Sequence, residues 1–190
     1  AWGSCWPDGG APPLWPWQPV LSSLGADPAI VLPSDPQGPG VGPERFARFS
    51  AVADLIASAC GRSPVLLVID DAHAADPGAM LLARFVARAL VRQPLLLLLS
   101  SRIVDRPVWT DNDATFVPLG PFDVAETAEF LRSRGGNTPA PAETGALHRL
   151  TGGHPLHLHH AVRAGTAHTS IRTVIDRALA GLAPDTARVL

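Results

Sequence analysis

Two short, uniformly apolar runs constrain the fold of this chain more than any other feature. They are Val65–Ile69, which reads VLLVI, and Leu95–Leu99, which reads LLLLL. Both have the length of a β-strand and lack the alternation of apolar and polar residues that a strand with one solvated face shows. Uniform apolarity is typical of parallel strands that are covered on both faces. We therefore predict two central strands of a parallel sheet.

Patterns for helices and for further strands surround these runs. Apolar residues recur at helical spacing over 43–59 and again over 80–91, with Asp76 as the predicted N-cap of the second helix. We also predict a short strand within residues 1–6 and a weaker strand over Thr115–Leu119. Strands that alternate with helices indicate an α/β fold with a doubly wound parallel sheet.

From about Pro121 onward the pattern is helical only. The stretch PFDVAETAEFLRSRGG predicts a capped helix that ends at paired glycines, and a further helix is predicted over 171–182. We divide the chain into a sheet domain, a helical segment and the start of a third region, at residues 1–120, 121–168 and 169–190. Because the chain begins at Ala1 and ends within an amphipathic pattern, we interpret it as part of a longer protein.

Charge and composition exclude several classes of function. The net charge of −2 and the pI near 6.4 provide no basic field for nucleic acid or for an anionic membrane surface. No apolar run approaches the roughly 18 to 20 residues of a membrane helix, and no signal peptide opens the chain. Cys5 and Cys60 form no CxxC motif, which favours reduced thiols. These features predict a cytoplasmic protein without a membrane partner.

The first apolar run ends in two adjacent carboxylates, Asp70 and Asp71. Ligands of parallel α/β sheets bind outside the carboxyl ends of the strands, and paired carboxylates there repel each other unless a cation compensates. Magnesium on a nucleotide is such a cation, because one carboxylate holds the metal while its neighbour orients the attacking water. We assign the metal to Asp70 and the catalytic role to Asp71. In the alternative interpretation, Asp71 caps a turn and Asp70 only ends the strand.

Two further positions fit such a site. Arg102 follows the second strand, where a guanidinium could contact a terminal phosphate, although an ordinary surface arginine explains it equally well. The turn TGGHPL, which contains Gly153 and Pro155, leads into a helix whose N-terminus could approach a nucleotide. An ordinary interhelical turn is the alternative interpretation.

Four stretches resemble the AAA-like ATPase region of large bacterial signalling regulators, the STAND ATPases related to the MalT and LuxR-type transcriptional activators. The stretches are WPDGGAPPLWPWQPVL, VLLVIDDAHAADPGAMLLARFVARAL, PLLLLLSSR and TGGHPL. The resemblance implies that Asp70 and Asp71 are the Walker B acids and that Arg102 is the sensor arginine. It also implies that Gly153 and Pro155 belong to the lid turn that meets the nucleotide.

The same resemblance implies a P-loop NTPase-type parallel sheet, a helical lid and the start of a winged-helix segment. It implies an ATP-dependent switch, with ATP and Mg²⁺ as cofactors, in a signal-responsive transcriptional regulator. An inducer would act through other domains, DNA would be bound by a domain absent from this chain, and self-association would depend on nucleotide.

The chain departs from the family pattern at three places. Ala74 stands where the acidic motif commonly has tryptophan, and His154 stands where the lid turn commonly has asparagine. The chain also has no GxxxxGK[ST] motif, and all 15 of its basic residues are arginine, so it cannot supply a P-loop lysine. The expected sheet is therefore truncated, without its P-loop strand, and we expect ATP hydrolysis only from a longer protein that supplies one.

Two other functions stay open. A degenerate domain that binds a partner protein and no nucleotide would also lack a P-loop. A metabolic or transport ATPase could use the same core, with fast turnover and no signalling output.

Local patterns indicate weaker alternatives. A cluster of four histidines could form a metal site, but no carboxylate or thiolate within the same turn would complete it. The histidines are His154, His157, His159 and His160. A hydrolase that uses His73 with Ser100 or Ser101 would lack the GxSxG motif, and we predict instead that His73 orients the acidic loop. Three tryptophans are predicted to fill the core over the sheet rather than to stack on bases: Trp6, Trp15 and Trp17.

Overall fold

The structure is a computed structural model that describes residues 1–7, 10–28, 42–102, 114–134 and 140–163. The chain divides into two compact units, residues 1–114 and 115–190. All of the described strands lie in the first unit, and the described part of the second unit has only helices as regular structure. The fold class is mixed α/β, as predicted.

A parallel sheet forms the centre of the first unit. Its three described strands are β1 (Trp2–Ser4), β2 (Val65–Asp70) and β3 (Leu95–Leu99), in the order β1-β2-β3. β2 is central, because Val68 lies opposite Trp2 of β1 on one side and opposite Leu98 of β3 on the other. The two apolar runs and the predicted N-terminal strand are thus confirmed as parallel neighbours.

Three helices of this unit are described, and capping residues mark one end of two of them. They are α1 (Trp17–Ser23), α2 (Pro43–Cys60) and α3 (Pro77–Ala89), with a 3₁₀ turn at Ala72–Ala74. Asp76 is the N-cap of α3, and its Oδ1 accepts the N–H of Ala79 at 3.0 Å. Gly61 is the C-cap of α2. Both predicted helices of this unit are confirmed.

One face of the sheet, here called the covered face, packs against these helices. Its core includes side chains of all three helices and of β2: Trp17, Leu21, Ile56, Leu82, Leu67 and Ile69. The indole N–H of Trp17 donates to the carbonyl of Ala79 at 3.1 Å, which satisfies its polar atom inside the core. A Cβ at Gly3 would lie 1.8 Å from the carbonyl oxygen of Pro16, so only glycine lets this chain segment approach β1.

The opposite face of the sheet exposes large apolar side chains. We call this surface the open face. Four of its side chains are 48 to 61% exposed: Trp2, Leu66, Leu96 and Leu98. Val68 on the same face is buried, because Trp2 and Leu98 flank it. The prediction that the strands are covered on both faces is therefore wrong for this face. Uniform apolarity permits burial on both sides of a strand, but the placement of the helices decides which side is covered.

The second unit is a small helical assembly in its described part. Its helices are α4 (Val124–Ser133), α5 (Pro141–Thr151) and α6 (Pro155–Arg163), and their buried core consists of Leu131, Leu147, Leu158 and Ala161. α4 begins with a reciprocal capping box, in which the N–H of Glu126 donates to Asp123 Oδ1 and the N–H of Asp123 donates to Glu126 Oε2, both at 2.8 Å. The predicted capped helix is confirmed.

The predicted strand at Thr115–Leu119 is wrong. This segment has no regular structure, and Phe116, Val117 and Leu119 are exposed. Pro118 lacks the N–H that a strand ladder needs, and no described strand of the second unit is available to pair with it.

Several predictions fall outside the described residues. They concern the paired glycines after α4, the helix at 171–182 and the region from 169 onward. The predicted domain boundaries stay predictions. Among the described helices, none is both long enough and apolar enough to span a membrane.

Candidate functional site

The chain turns sharply at the carboxyl end of β2, where both predicted acidic residues lie. Asp70 is the last residue of β2, and Asp71 adopts the left-handed conformation, with φ 53° and ψ 42°. Aspartate enters this region more readily than most residues. The 3₁₀ turn follows at once. The two carboxylates therefore stand at the edge of the sheet where ligands of α/β proteins bind.

Ser100, which follows β3, holds this acidic turn in place. Its hydroxyl donates to Asp70 Oδ1 in a short hydrogen bond and accepts the N–H of Asp71 at 3.0 Å. Its backbone N–H donates to the carbonyl of Ile69 at 3.1 Å, and its carbonyl accepts the N–H of Ala72 at 2.8 Å. Four hydrogen bonds thus fix the end of β2 to the end of β3.

Sequence analysis considered Ser100 only as a nucleophile and missed this positioning role. The hydroxyl proton goes to a carboxylate and not to His73, which does not support a serine hydrolase. The sequence signal was only that a polar residue follows each apolar run, whereas the parallel register that places Leu99 beside Ile69 comes from the structure. The first polar residue after each apolar run must then lie close to the other.

His73 lies between the acidic turn and the chain that leaves β3. Its Nδ1 accepts the N–H of Arg102 at 3.4 Å, which is a weak bond, and lies 3.8 Å from Asp71 Oδ1, which is too far for a hydrogen bond. The His73 side chain is only 17% exposed, whereas that of Asp71 is 42% exposed. His73 is thus largely buried beside the turn and leaves the Asp71 carboxylate accessible, and its role in orienting the acidic loop stays a prediction.

Arg102 lies at the same edge of the sheet as the acidic turn. It is exposed, and its backbone contact with His73 ties it to that turn. A guanidinium at this place can reach an anion outside the sheet, because it carries a permanent charge on a long side chain. The structure therefore brings three of the predicted site residues, Asp70, Asp71 and Arg102, to one edge.

Negative charge accumulates at this edge and acts on a neighbouring thiol. Cys5 follows β1, and its N–H donates to the carbonyl of Asp70 at 2.9 Å. The pKa of the Cys5 thiol is raised to about 11, first by burial and then, in decreasing order, by the charges of Asp76, Asp71 and Asp70. A bound cation would relieve this concentration of negative charge.

The donor set fits magnesium that is shared with a ligand. Carboxylate oxygens are hard donors, and magnesium commonly uses one or two of them together with phosphate oxygens and water. Within the described residues, no group of three or more histidine, cysteine, aspartate or glutamate side chains could hold a metal ion. The acidic pair would therefore supply only part of a coordination shell. The four histidines near the start of α6 are among these described residues, so they form no such group either. The ring centroids of His154 and His157 lie 4.5 Å apart.

The glycine turn lies in the second unit and has a clear packing role. Gly153 has φ +72°, and a Cβ there would lie 2.1 Å from the carbonyl oxygen of Phe122. The N–H of Phe122 donates to the carbonyl of Gly153 at 2.9 Å, and His148 Nε2 lies 3.0 Å from the Phe122 oxygen. Pro155 occupies the first position of α6, as predicted. A contact of Gly153 and Pro155 with nucleotide stays a prediction.

The tryptophans divide into two groups. Trp17 is fully buried over the covered face, as predicted. For Trp6 and Trp15 the prediction is wrong, because they are 53 and 37% exposed. Both line a cavity of about 200 Å³ beside Asp76.

Comparison of the chain with protein-family models and with curated proteins returned no match. Any functional assignment therefore depends on the residues and geometry described above.

Proposed function

We propose that this chain carries the acidic part of an ATP site in a nucleotide-dependent molecular switch. The observation that carries the proposal is the pair Asp70 and Asp71 at the carboxyl end of the central parallel strand, held by Ser100. A sheet that ends in an oriented and accessible carboxylate pair suits a ligand that brings its own cation. We further propose that the chain has a P-loop NTPase-type fold. Its parallel α/β sheet is compatible with this fold.

The proposed roles follow from the surroundings of each side chain. Asp70 would hold the magnesium ion of Mg-ATP, because Ser100 fixes its carboxylate at the end of β2. Asp71, whose side chain is 42% exposed, would orient the attacking water. Arg102 would contact the terminal phosphate through its guanidinium. When bound, magnesium would neutralise charge on the phosphate oxygens.

The phosphate cradle must come from another segment. The chain contains neither a GxxxxGK[ST] motif nor any lysine, so the proposal requires a P-loop outside these residues. By the same proposal Gly153 and Pro155 form the lid turn, and the protein is a cytoplasmic transcriptional regulator of the STAND type. Its inducer and its DNA would be bound by other domains, and nucleotide would control self-association.

The first experiment measures binding of Mn²⁺, as a substitute for Mg²⁺, by electron paramagnetic resonance with and without ATP, in a protein that contains this chain together with a P-loop segment. We expect ATP to promote Mn²⁺ binding by the chain. Asp70→Asn should weaken this binding at least about tenfold, because it removes a charged ligand of the metal. Asp54→Asn is the matched control, since Asp54 is exposed on α2, away from the acidic turn. Unchanged binding by Asp70→Asn would refute the assignment.

The second experiment separates binding from chemistry in a protein that also contains a P-loop. Asp71→Asn should spare ATP binding but reduce hydrolysis by about a hundredfold or more, because it removes the group that orients water. A steady-state turnover below about one per second supports a switch, whereas much faster turnover favours a metabolic or transport ATPase.

A partner-binding domain is the second candidate function, and the open face favours it. Exposed and adjacent apolar side chains such as Leu66, Leu96 and Leu98 commonly mark a protein interaction surface. This alternative predicts no ATP-promoted Mn²⁺ binding and no effect of Asp70→Asn. The Mn²⁺ experiment therefore distinguishes the two functions.

A further inference from the structure

The cavity beside the acidic turn is a separate feature from the acidic pair. It has a volume of about 200 Å³ and lies between the connection from β1 to α1 and the turn that precedes α3. Cavities for drug-sized ligands are larger, whereas this volume suits a compact molecule.

The wall of the cavity is rich in aromatic and proline side chains. Trp6, Trp15, Pro12 and Pro16 line it. Indole rings attract cations to their faces, and this attraction grows when the cation is shielded from water. Aromatic side chains that line a site together are a known means of recognising ammonium groups.

The only charged side chain in the described wall is Asp76. Its Oδ1 accepts the N–H of Ala79 and its Oδ2 accepts the N–H of Leu14, each at 3.0 Å, so the carboxylate is fixed in one orientation. Each oxygen keeps a further lone pair for another donor. The effect of Asp76, Asp71 and Asp70 on the pKa of Cys5, which also lines the cavity, indicates that negative potential extends along this wall.

We propose that this cavity binds a small organic cation, an ammonium group on a compact apolar body. The proline side chains contact the apolar part of the ligand, and the indole rings contact its cationic group. The Asp76 carboxylate supplies the opposite charge. Anionic ligands are disfavoured because the described wall contains no arginine or histidine. A bare metal ion would use the carboxylate but not the tryptophans. The inference does not depend on the proposed ATP site.

The test compares choline with 3,3-dimethyl-1-butanol, its uncharged isostere. Each has one intense methyl signal in proton NMR, so saturation transfer and titration on the unaltered chain measure both at matched ionic strength. We expect choline to bind at least about fivefold more tightly, because only choline gains the cation–π and carboxylate attraction. Equal affinities would overturn the proposal, and so would failure of both compounds to bind.

Variants then locate the binding. Trp15→Leu and Trp6→Leu should each weaken choline binding by about three- to tenfold while leaving the affinity for the isostere nearly unchanged. Trp2→Leu is the matched control, because Trp2 belongs to the open face and does not line the cavity. If Trp2→Leu weakens choline binding as much as Trp15→Leu does, the cation binds elsewhere and the proposal fails.

Discussion

The two faces of the sheet carry the same kind of side chain but have opposite surroundings. Leu66 and Leu67 are neighbours in β2, yet Leu66 is 48% exposed and Leu67 is fully buried. Because successive side chains of a strand point to opposite faces, the two leucines report on two different environments. An apolar residue therefore permits burial at a position of the strand, and the packing of the helices determines whether that position is buried.

The covered face owes its stability to the helices that pack on it. Trp17 from α1, Ile56 from α2 and Leu82 from α3 are all fully buried there. The open face is apolar without such a layer. A contiguous exposed apolar surface of this kind favours association with another molecule. The covered face should thus govern folding, and the open face should govern what the folded chain binds.

Truncation of the two neighbouring leucines gives the largest expected difference between the faces. Leu67→Ala should reduce the free energy of unfolding by about 2 to 5 kcal/mol, because it leaves a cavity in the core. Leu66→Ala should reduce it by about 1 kcal/mol or less, since an exposed strand position loses little burial. Urea unfolding followed by tryptophan fluorescence measures both, and all five tryptophans lie within the first unit, residues 1–114.

This pair also provides its own control, because both variants make the same chemical change in the same strand. Equal losses of stability would contradict the difference between the faces. They would mean that the open face is covered in solution.

A smaller effect is expected from the thiol on the covered side of β1. The pKa of Cys5 is raised to about 11 from an ordinary value of 9.0, so the folded state holds the proton more tightly than the unfolded state. The resulting stability is fully present below pH 9 and is lost as the pH rises through about 11. We expect a loss of about 1 to 2 kcal/mol between pH 9 and pH 11.

The composition makes this measurement unusually direct. The chain has no tyrosine and no lysine, so the side chains that titrate in this range are those of Cys5 and Cys60. Burial also raises the pKa of Cys60. Cys5→Ala should therefore remove most of the pH dependence, with Cys60→Ala as the matched comparison. A pH dependence that survives in the double variant would assign the effect to another cause.

Sequence reasoning succeeded where a local rule determines the structure. The apolar runs, the Asp76 cap and the capped helix α4 follow from period, length and hydrogen-bonding chemistry close in sequence. It failed where a distant segment decides, as with exposure of Leu66 and the exposed Trp6. Ser100 was misjudged for the same reason, since its role exists only once β3 lies beside β2.

The candidate site divides in the same way. Asp70 and Asp71 could be recognised because paired carboxylates after a buried strand have few structural explanations. The cavity beside Asp76 could not be predicted, because its described walls come from two segments, within residues 5–16 and 74–76, that are far apart in sequence. Gly153 combines both cases. The turn was predicted from the sequence, whereas its close approach to Phe122 could be seen only in the structure.

The variant with the smallest expected change in stability tests whether the open face mediates association. Leu66→Thr with Leu98→Thr should alter the free energy of unfolding by less than about 1 kcal/mol, because threonine suits exposed strand positions. The same double variant should reduce self-association and binding of an apolar dye, since it removes half of the exposed apolar residues of this face. Analytical ultracentrifugation of both proteins measures the association. A double variant that associates as strongly as the unaltered chain would show that the adhesive surface lies elsewhere, and the partner-binding candidate would then lose its main support.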